Sequence, residues 1–110
     1  MNDTLKKEIK KTLGKLLADF KNEKEAFEFL KGFLTPKEFE NLAKRLSVAY
    51  WLSKKRSYEN IQTNLKVSSA TIADAKTLLK KKEVQYALKK LDADEWAEKW
   101  SEKLKKIISK

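Results

Sequence analysis

Residues 57–79 have the sequence SYENIQTNLKVSSATIADAKTLL, and this stretch sets the architecture of the chain. Its first part predicts a short helix with Ser57 at the N-cap, where a hydroxyl accepts a hydrogen bond from an otherwise free backbone N–H. Ile61 and Leu65 lie four residues apart and therefore share one face of that helix. The spacing predicts that this face is buried.

A second helix follows after a short connection. Ser68 or Ser69 can cap it, and we expect it to continue to about Lys81. Lys66 stands where such turns commonly have glycine, so the turn either avoids a positive φ or carries a small strain. Apolar side chains recur across both helices and the turn: Ile61, Leu65, Val67, Ile72 and Leu78 or Leu79. We interpret the stretch as a helix-turn-helix at about residues 57–81.

A capping signal lies upstream of this stretch. Thr35 can cap a helix, Pro36 suits its first position, and Glu38 stands three residues after the cap, which completes a capping box. Leu34 and Phe39 flank the box as partners of a hydrophobic staple. The helix that follows is predicted to bury an apolar stripe: Phe39, Leu42, Ala43, Leu46, Ala49, Tyr50 and Leu52.

Further helices are predicted on both sides. The N-terminal helix has Asp3 or Thr4 as its N-cap and one apolar stripe: Leu5, Ile9, Leu13, Leu16 and Phe20. Asn22 can start the next helix, which has its own stripe: Ala26, Phe27, Leu30, Phe33 and Leu34. We expect two C-terminal helices, Glu83–Leu91 and Asp94–Ser109, separated at Asp92-Ala93-Asp94. The apolar positions of the last one are Trp96, Trp100, Leu104 and Ile107 or Ile108.

Composition and length support an all-α fold in one domain. The 110 residues include only two glycines and one proline, and lysine, leucine, glutamate and alanine all favour helices. We expect a single all-helical domain over residues 1–110. It has N-terminal dimerisation helices at 1–34, a core at 35–82 and C-terminal helices at 83–110.

The same composition argues against catalysis. Without cysteine or histidine the chain has no thiol nucleophile, no imidazole base, no disulfide and no Cys/His zinc site. Two glycines exclude a P-loop and a dinucleotide-binding loop. The longest apolar run, Val48–Leu52, is far too short to cross a membrane, and the N-terminus lacks the apolar segment of a signal peptide. We therefore expect a cytoplasmic protein that is not an enzyme and has no cofactor and no metal.

Positive charge is concentrated in the middle of the chain. The net charge is +10, and residues 35–82 contain 11 basic and 4 acidic residues, which leaves +7 in that segment. It includes the basic segment, which we define as Lys54, Lys55 and Arg56. Such a concentration is typical of a surface that binds a polyanion. The alternative explanation of the same excess is an AT-rich genome that favours lysine codons.

The residues from Phe33 to Leu79 resemble the Trp repressor family, most closely its YerC/YecD-type branch. The matching positions are Leu34-Thr35-Pro36-x-Glu38, Leu42, Arg45, Leu46, Ser57-Tyr58-x-x-Ile61 and Ala70-Thr71-Ile72. The resemblance implies an intertwined all-helical homodimer that binds double-stranded DNA through two symmetry-related helix-turn-helix units.

The tryptophan site implied by the resemblance is only partly present. Thr35 and Arg45 match the threonine and the first arginine of that site, but Asp74 stands in place of the second arginine. Leu78 lies near the position of the serine that receives the amino group of the ligand. Because a carboxylate repels the carboxylate of an amino acid, we expect no L-tryptophan binding, and any effector is unknown. We expect Arg45 to have a structural or inter-subunit role.

We expect phosphate contacts from cations around the helix-turn-helix and limited base contacts from its second helix, which is rich in small residues. The predicted DNA-contact residues are Lys54, Lys55, Arg56, Ser57, Gln62, Lys66, Ser68, Ser69, Ala70, Thr71, Ala73, Lys76 and Lys80.

The sequence thus predicts a homodimeric, sequence-specific DNA-binding transcriptional regulator. Three alternatives remain open at this point. The first is a protein-interaction module that keeps the helix-turn-helix but has lost base readout, with the Trp96 and Trp100 helix docking a partner. The others are a nonspecific nucleic-acid binder and an RNA-binding accessory protein.

Overall fold

A computed structural model describes the backbone of residues 1–108 and the side chains of residues 1–95. The described backbone is all-helical and contains no strand, as the sequence predicts. The helices are α1 (Asp3–Ala18), α2 (Glu23–Phe33), α3 (Pro36–Ser53), α4 (Tyr58–Leu65), α5 (Ser69–Leu78) and α6 (Lys82–Ile108).

The chain forms two compact units, Met1–Leu42 and Ala43–Lys110, and the boundary between them falls within α3. The organisation into a single domain over residues 1–110 stays a prediction.

The first unit is held by helix caps and aromatic contacts. Asn22 caps α2 as predicted, and its side chain accepts a hydrogen bond from the backbone N–H of Glu25 at 2.9 Å. The predicted cap of α1 is wrong: Asn2 caps it, and Asp3 and Thr4 already lie inside the helix. The Asn2 side chain accepts a hydrogen bond from the Leu5 N–H at 2.7 Å, which is the bond that defines an N-cap.

Five phenylalanines contribute the ring contacts of this unit. The ring centroids are 5.4 Å apart for Phe20 and Phe29, 5.1 Å for Phe29 and Phe33, and 5.5 Å for Phe27 and Phe39. All residues of the unit are described and none is buried. The apolar stripe of α1 is 40% to 50% exposed: Leu5, Ile9, Leu13, Leu16 and Leu17. This large open apolar face needs a partner if it is to leave water.

The capping box at the start of α3 is confirmed. The Thr35 hydroxyl accepts a hydrogen bond from the Glu38 N–H at 3.2 Å, and the Glu38 carboxylate accepts one from the Thr35 N–H at 2.9 Å. The hydrogen bond from the Thr35 backbone N–H favours the charged carboxylate and is the main reason that the pKa of Glu38 is lowered from its ordinary value, with a further contribution from the Thr35 side chain. The box fixes the residue at which α3 begins.

The second unit has the buried core. Side chains from α3, α4, α5 and α6 meet there, and all are apolar: Val48, Ala49, Ile61, Ile72, Ala75 and Leu88. Partly buried residues pack around them, among them Leu65 and Val67, which the sequence placed at the end of the first helix and in the turn. The core therefore holds the two helices of the helix-turn-helix against α3 and α6.

One face of α3 differs from the prediction. Leu42 and Leu46 are about half exposed, whereas Val48, which lies outside the predicted stripe, is fully buried. At about 100° per residue, Val48 points some 160° away from Leu46 around the helix axis. The C-terminal end of α3 therefore contacts the core through Val48 as well as through Ala49, Tyr50 and Leu52 of the predicted stripe.

The predicted break at Asp92-Ala93-Asp94 is also wrong. Helix α6 runs without interruption from Lys82 to Ile108. The segment contains neither glycine nor proline, and alanine is the strongest helix former, so a capping residue type alone does not stop the helix. The side chains of the predicted Trp96–Ile108 stripe lie outside the described residues. Helix α5 ends at Leu78, a little before the predicted Lys81.

The buried core makes a direct prediction for stability. Ile61→Ala removes a fully buried side chain between α4 and α5, and we expect it to lower the free energy of unfolding by about 2–5 kcal/mol. Tyr86→Ala, at a side chain that is 66% exposed, is the control and should change it by less than about 0.5 kcal/mol. Urea unfolding measures both, and equal effects would contradict the placement of the core.

Candidate nucleic-acid interface

Both helices of the helix-turn-helix begin at a serine cap, as predicted. The Ser57 hydroxyl accepts a hydrogen bond from the Asn60 N–H at 3.1 Å and so starts α4. Of the two candidate caps for α5, the structure uses Ser68, whose hydroxyl accepts one from the Thr71 N–H at 3.1 Å. The Ser68 and Thr71 hydroxyls also hydrogen-bond each other at 3.0 Å. The start of α5, where DNA contacts are predicted, is thus fixed by local bonds.

The turn between the helices does adopt a positive φ. Lys66 has φ 53° and ψ 54°, and its N–H donates to the Gln62 carbonyl at 2.9 Å, which ends α4. A residue with a Cβ is disfavoured in this left-handed region, so the lysine carries the small strain that the sequence indicates. Lys55 has φ 62° and is in the same region.

Helix α5 presents a well-defined outer face. Ile72 and Ala75 are buried against the core, which fixes the rotation of the helix about its axis. Helical geometry then points four exposed side chains away from the core: Ala70, Ala73, Asp74 and Thr77. We call these four residues the outer face of α5. Three of them are uncharged and small, and the fourth is a carboxylate.

Cations flank the outer face. Lys76 is exposed on one side of α5, on the same side as Ser69, and Lys80 is exposed in the turn that follows the helix. The Lys76 ammonium lies 5.9 Å from the centroid of the Tyr58 ring, so it makes a cation–π contact with the first turn of α4. In this arrangement the helix can contact base edges in the major groove while the lysines beside it contact phosphates.

The basic segment is partly engaged within the protein. The Lys54 ammonium pairs with the Asp92 carboxylate of α6, and the Arg56 guanidinium stacks on the Trp51 ring at 4.1 Å from its centroid. Lys55 is exposed. The segment is therefore less free for phosphate than its charge alone indicates.

A polar cluster that the sequence reading missed lies beside this segment. The Tyr50 hydroxyl donates to the carboxylates of Glu95 and, at 3.1 Å, Asp92. Hydrogen bonding to Glu95 is the main reason that the pKa of Tyr50 is raised, followed by desolvation and the bond to Asp92. The hydrogen bond between the Lys54 ammonium and the Asp92 carboxylate lowers the pKa of Asp92 and raises the pKa of Lys54. The sequence signal for this cluster is the spacing of its residues. Tyr50 and Lys54 are four apart, and Asp92 and Glu95 are three apart, so each pair shares one face of its helix.

All predicted DNA-contact residues lie in the second unit. Twelve are exposed, and Thr71 is half-buried: Lys54, Lys55, Arg56, Ser57, Gln62, Lys66, Ser68, Ser69, Ala70, Thr71, Ala73, Lys76 and Lys80. Which of them contact DNA stays a prediction.

The residues of the expected effector site are differently placed. Thr35 belongs to the first unit, and its hydroxyl caps α3. Arg45 and Asp74 belong to the second unit and are exposed. Among the described residues, no cluster of acidic side chains is arranged to hold a metal ion. None of the helices within residues 1–108 combines the length and apolarity needed to cross a membrane.

Comparison with known proteins gives one match. The family model described as Trp repressor protein matches residues 8–92, which includes α2 to α5 and parts of the helices on either side. No curated protein and no solved structure matches the chain. The family match extends beyond the stretch from Phe33 to Leu79 that carries the resemblance.

The left-handed turn residue gives a prediction for stability. Lys66→Gly removes the Cβ that disfavours this backbone conformation, and we expect the free energy of unfolding to rise by about 1 kcal/mol. Lys66→Ala is the matched control, because it removes the same charge but keeps the Cβ, and it should not stabilise. Thermal and urea unfolding distinguish the two, and a Gly variant no more stable than the Ala variant would refute the strain.

Proposed function

Because the chain belongs to the Trp repressor protein family, we propose that it is a cytoplasmic, homodimeric, helix-turn-helix protein that binds specific DNA sequences and regulates transcription. The single observation that carries the proposal is the outer face of α5, small side chains held outward by the burial of Ile72 and Ala75. Within the family we assign the chain to the YerC/YecD-type branch.

Affinity and sequence preference arise from different residues. Lys66, Lys76 and Lys80 surround α5 and are exposed, so they supply the main phosphate contacts. The outer face of α5 enters the major groove, where Ala70 and Ala73 allow the helix to approach closely and favour thymine methyl groups. Phosphate contacts set the position of the protein on the duplex, and the outer face sets the preference among sequences.

A second copy of the chain covers the apolar face of the first unit. The stripe of α1 is too large to remain in water, and Phe33 at 71% exposure adds to it. A homodimer buries this surface and presents two copies of α5, which suits a palindromic site with half-sites about one helical turn apart.

An interaction module without DNA binding is the second candidate. It is favoured by the pairing of Lys54 with Asp92 and the stacking of Arg56 on Trp51, which divert two cations from phosphate. Measurements of DNA binding separate this candidate from the first.

The dimer predicts a mass and a way to change it. Light scattering at micromolar concentration should give twice the 12.8 kDa of one chain. Replacing Ile9 and Leu13 together with Asp places two charges on the exposed stripe and should give the monomer mass. Lys7→Asp, on the opposite side of α1, is the control and should remain a dimer. A wild-type monomer would contradict the proposed assembly.

L-tryptophan is not expected to act as an effector. Asp74 places an exposed carboxylate where the resemblance requires a cation for the carboxylate of the ligand. Titration calorimetry with millimolar tryptophan should show no saturable heat, and the amino acid should leave DNA affinity unchanged. Asp74→Arg is the informative comparison. Saturable binding of L-tryptophan to the wild type would contradict the expectation that Asp74 excludes this ligand.

Salt dependence tests the phosphate contacts. If three lysines on each protomer neutralise one phosphate each, the logarithm of affinity should fall with the logarithm of salt at a slope of about −5. Replacing Lys66, Lys76 and Lys80 together with Gln should weaken binding to every sequence alike and move the slope toward zero. Fluorescence anisotropy on duplex DNA measures both quantities.

The matched control replaces Lys7, Lys11 and Lys15 with Gln, which removes the same charge from the side of α1 that faces away from its apolar stripe. It should leave most of the slope intact. If both triple variants lose affinity and slope equally, the binding responds to net charge and the cations around α5 have no special position. If the wild type binds no DNA, the interaction module is the better account.

A further inference from the structure

Resting on the function proposed above, we propose that Asp74 determines the sequence preference by accepting a hydrogen bond from the N4 amino group of a cytosine in each half-site. A carboxylate in place of a cation is a defect if α5 only needs to hold phosphates. It becomes a selective group if its side chain points at base edges.

The geometry of α5 points the carboxylate outward. Burial of Ile72 and Ala75 fixes the rotation of the helix, and Asp74 then lies on the outer face with Ala70 and Thr77. Asp74 is exposed, and no described side chain pairs with its carboxylate. It is also the only charged group among the four outer-face residues. The carboxylate is therefore free to meet a donor on DNA.

The chemistry of the base edges selects one base. An ionised carboxylate only accepts hydrogen bonds. In the major groove guanine presents two acceptors and thymine an acceptor beside a methyl group, so neither offers a donor. Adenine has a donor, but its neighbouring N7 is an acceptor that repels a carboxylate. Cytosine presents its N4 donor without that conflict, and it is the base that acidic side chains contact.

The negative charge of Asp74 also increases the difference in affinity between sites with and without this cytosine. Asp74 lies in a chain segment with a net charge of +7 and repels the phosphates that the surrounding lysines attract. This repulsion weakens binding to every sequence. Only a site with cytosine in reach recovers the loss through a hydrogen bond, so the carboxylate increases selectivity at the expense of general affinity.

The experiment is selection of bound duplexes from a random pool with three full-length proteins: wild type, Asp74→Asn and Glu59→Gln. The wild type should recover sites with one dominant cytosine in each half-site. Asp74→Asn should replace that cytosine with adenine, because an amide bonds both N6 and N7 of adenine. In the preferred site, exchange of this cytosine for adenine should weaken wild-type binding by about tenfold and strengthen binding of the Asn variant.

Glu59→Gln is the matched control, because it removes one exposed negative charge from the neighbouring helix α4. It should tighten binding to all duplexes about as much as Asp74→Asn does and keep the cytosine. Recovery of the same sites by wild type and Asp74→Asn would overturn the inference while leaving sequence-specific DNA binding intact. Loss of the cytosine in Glu59→Gln would also overturn it. A wild type that retains no DNA would refute both the inference and the proposed function.

Discussion

The burial of Ile61 of α4 against the core that also holds Ile72 and Ala75 of α5 is the contact on which the rest of the second unit depends. It fixes α4 and α5 against each other, and it determines which residues of α5 point outward. Burial of side chains of this size contributes about 1.5–3 kcal/mol each, enough to enforce one rotation of a helix of ten residues. The positions of Asp74 and the flanking lysines follow from that rotation.

Local signals made most of the helix-turn-helix predictable. The caps at Ser57 and Ser68 and the box at Thr35 each involve bonds within three residues, so the sequence contains all that they require. The periodic apolar residues Ile61 and Ile72 identified the buried faces, because a short helix with one strong apolar position has few alternatives. These local signals predict where α4 and α5 begin and which of their faces are buried, and the contact of α5 with DNA stays a prediction.

Features that depend on distant partners were harder to predict. The burial of Val48 depends on the helices that pack around the C-terminal end of α3, and the stripe pattern of α3 alone does not contain that information. The bonds from Tyr50 to Asp92 and Glu95 join positions more than forty residues apart. Because Lys54 pairs with Asp92, the charge of the basic segment is a poor guide to the cations available for DNA. Lys66, Lys76 and Lys80 are exposed, and their availability for DNA follows more closely from the sequence.

Chemical-shift mapping by NMR determines whether α5 contacts DNA, since it shows which backbone amides respond when a duplex binds. Addition of a selected duplex should shift amides from Ser68 to Thr77 most strongly, with smaller shifts around Lys66 and Lys80. Amides of Leu5–Leu17 should remain unchanged. Large shifts confined to α1 or α6, with α5 unaffected, would contradict the claim that this protein binds DNA through the outer face of α5.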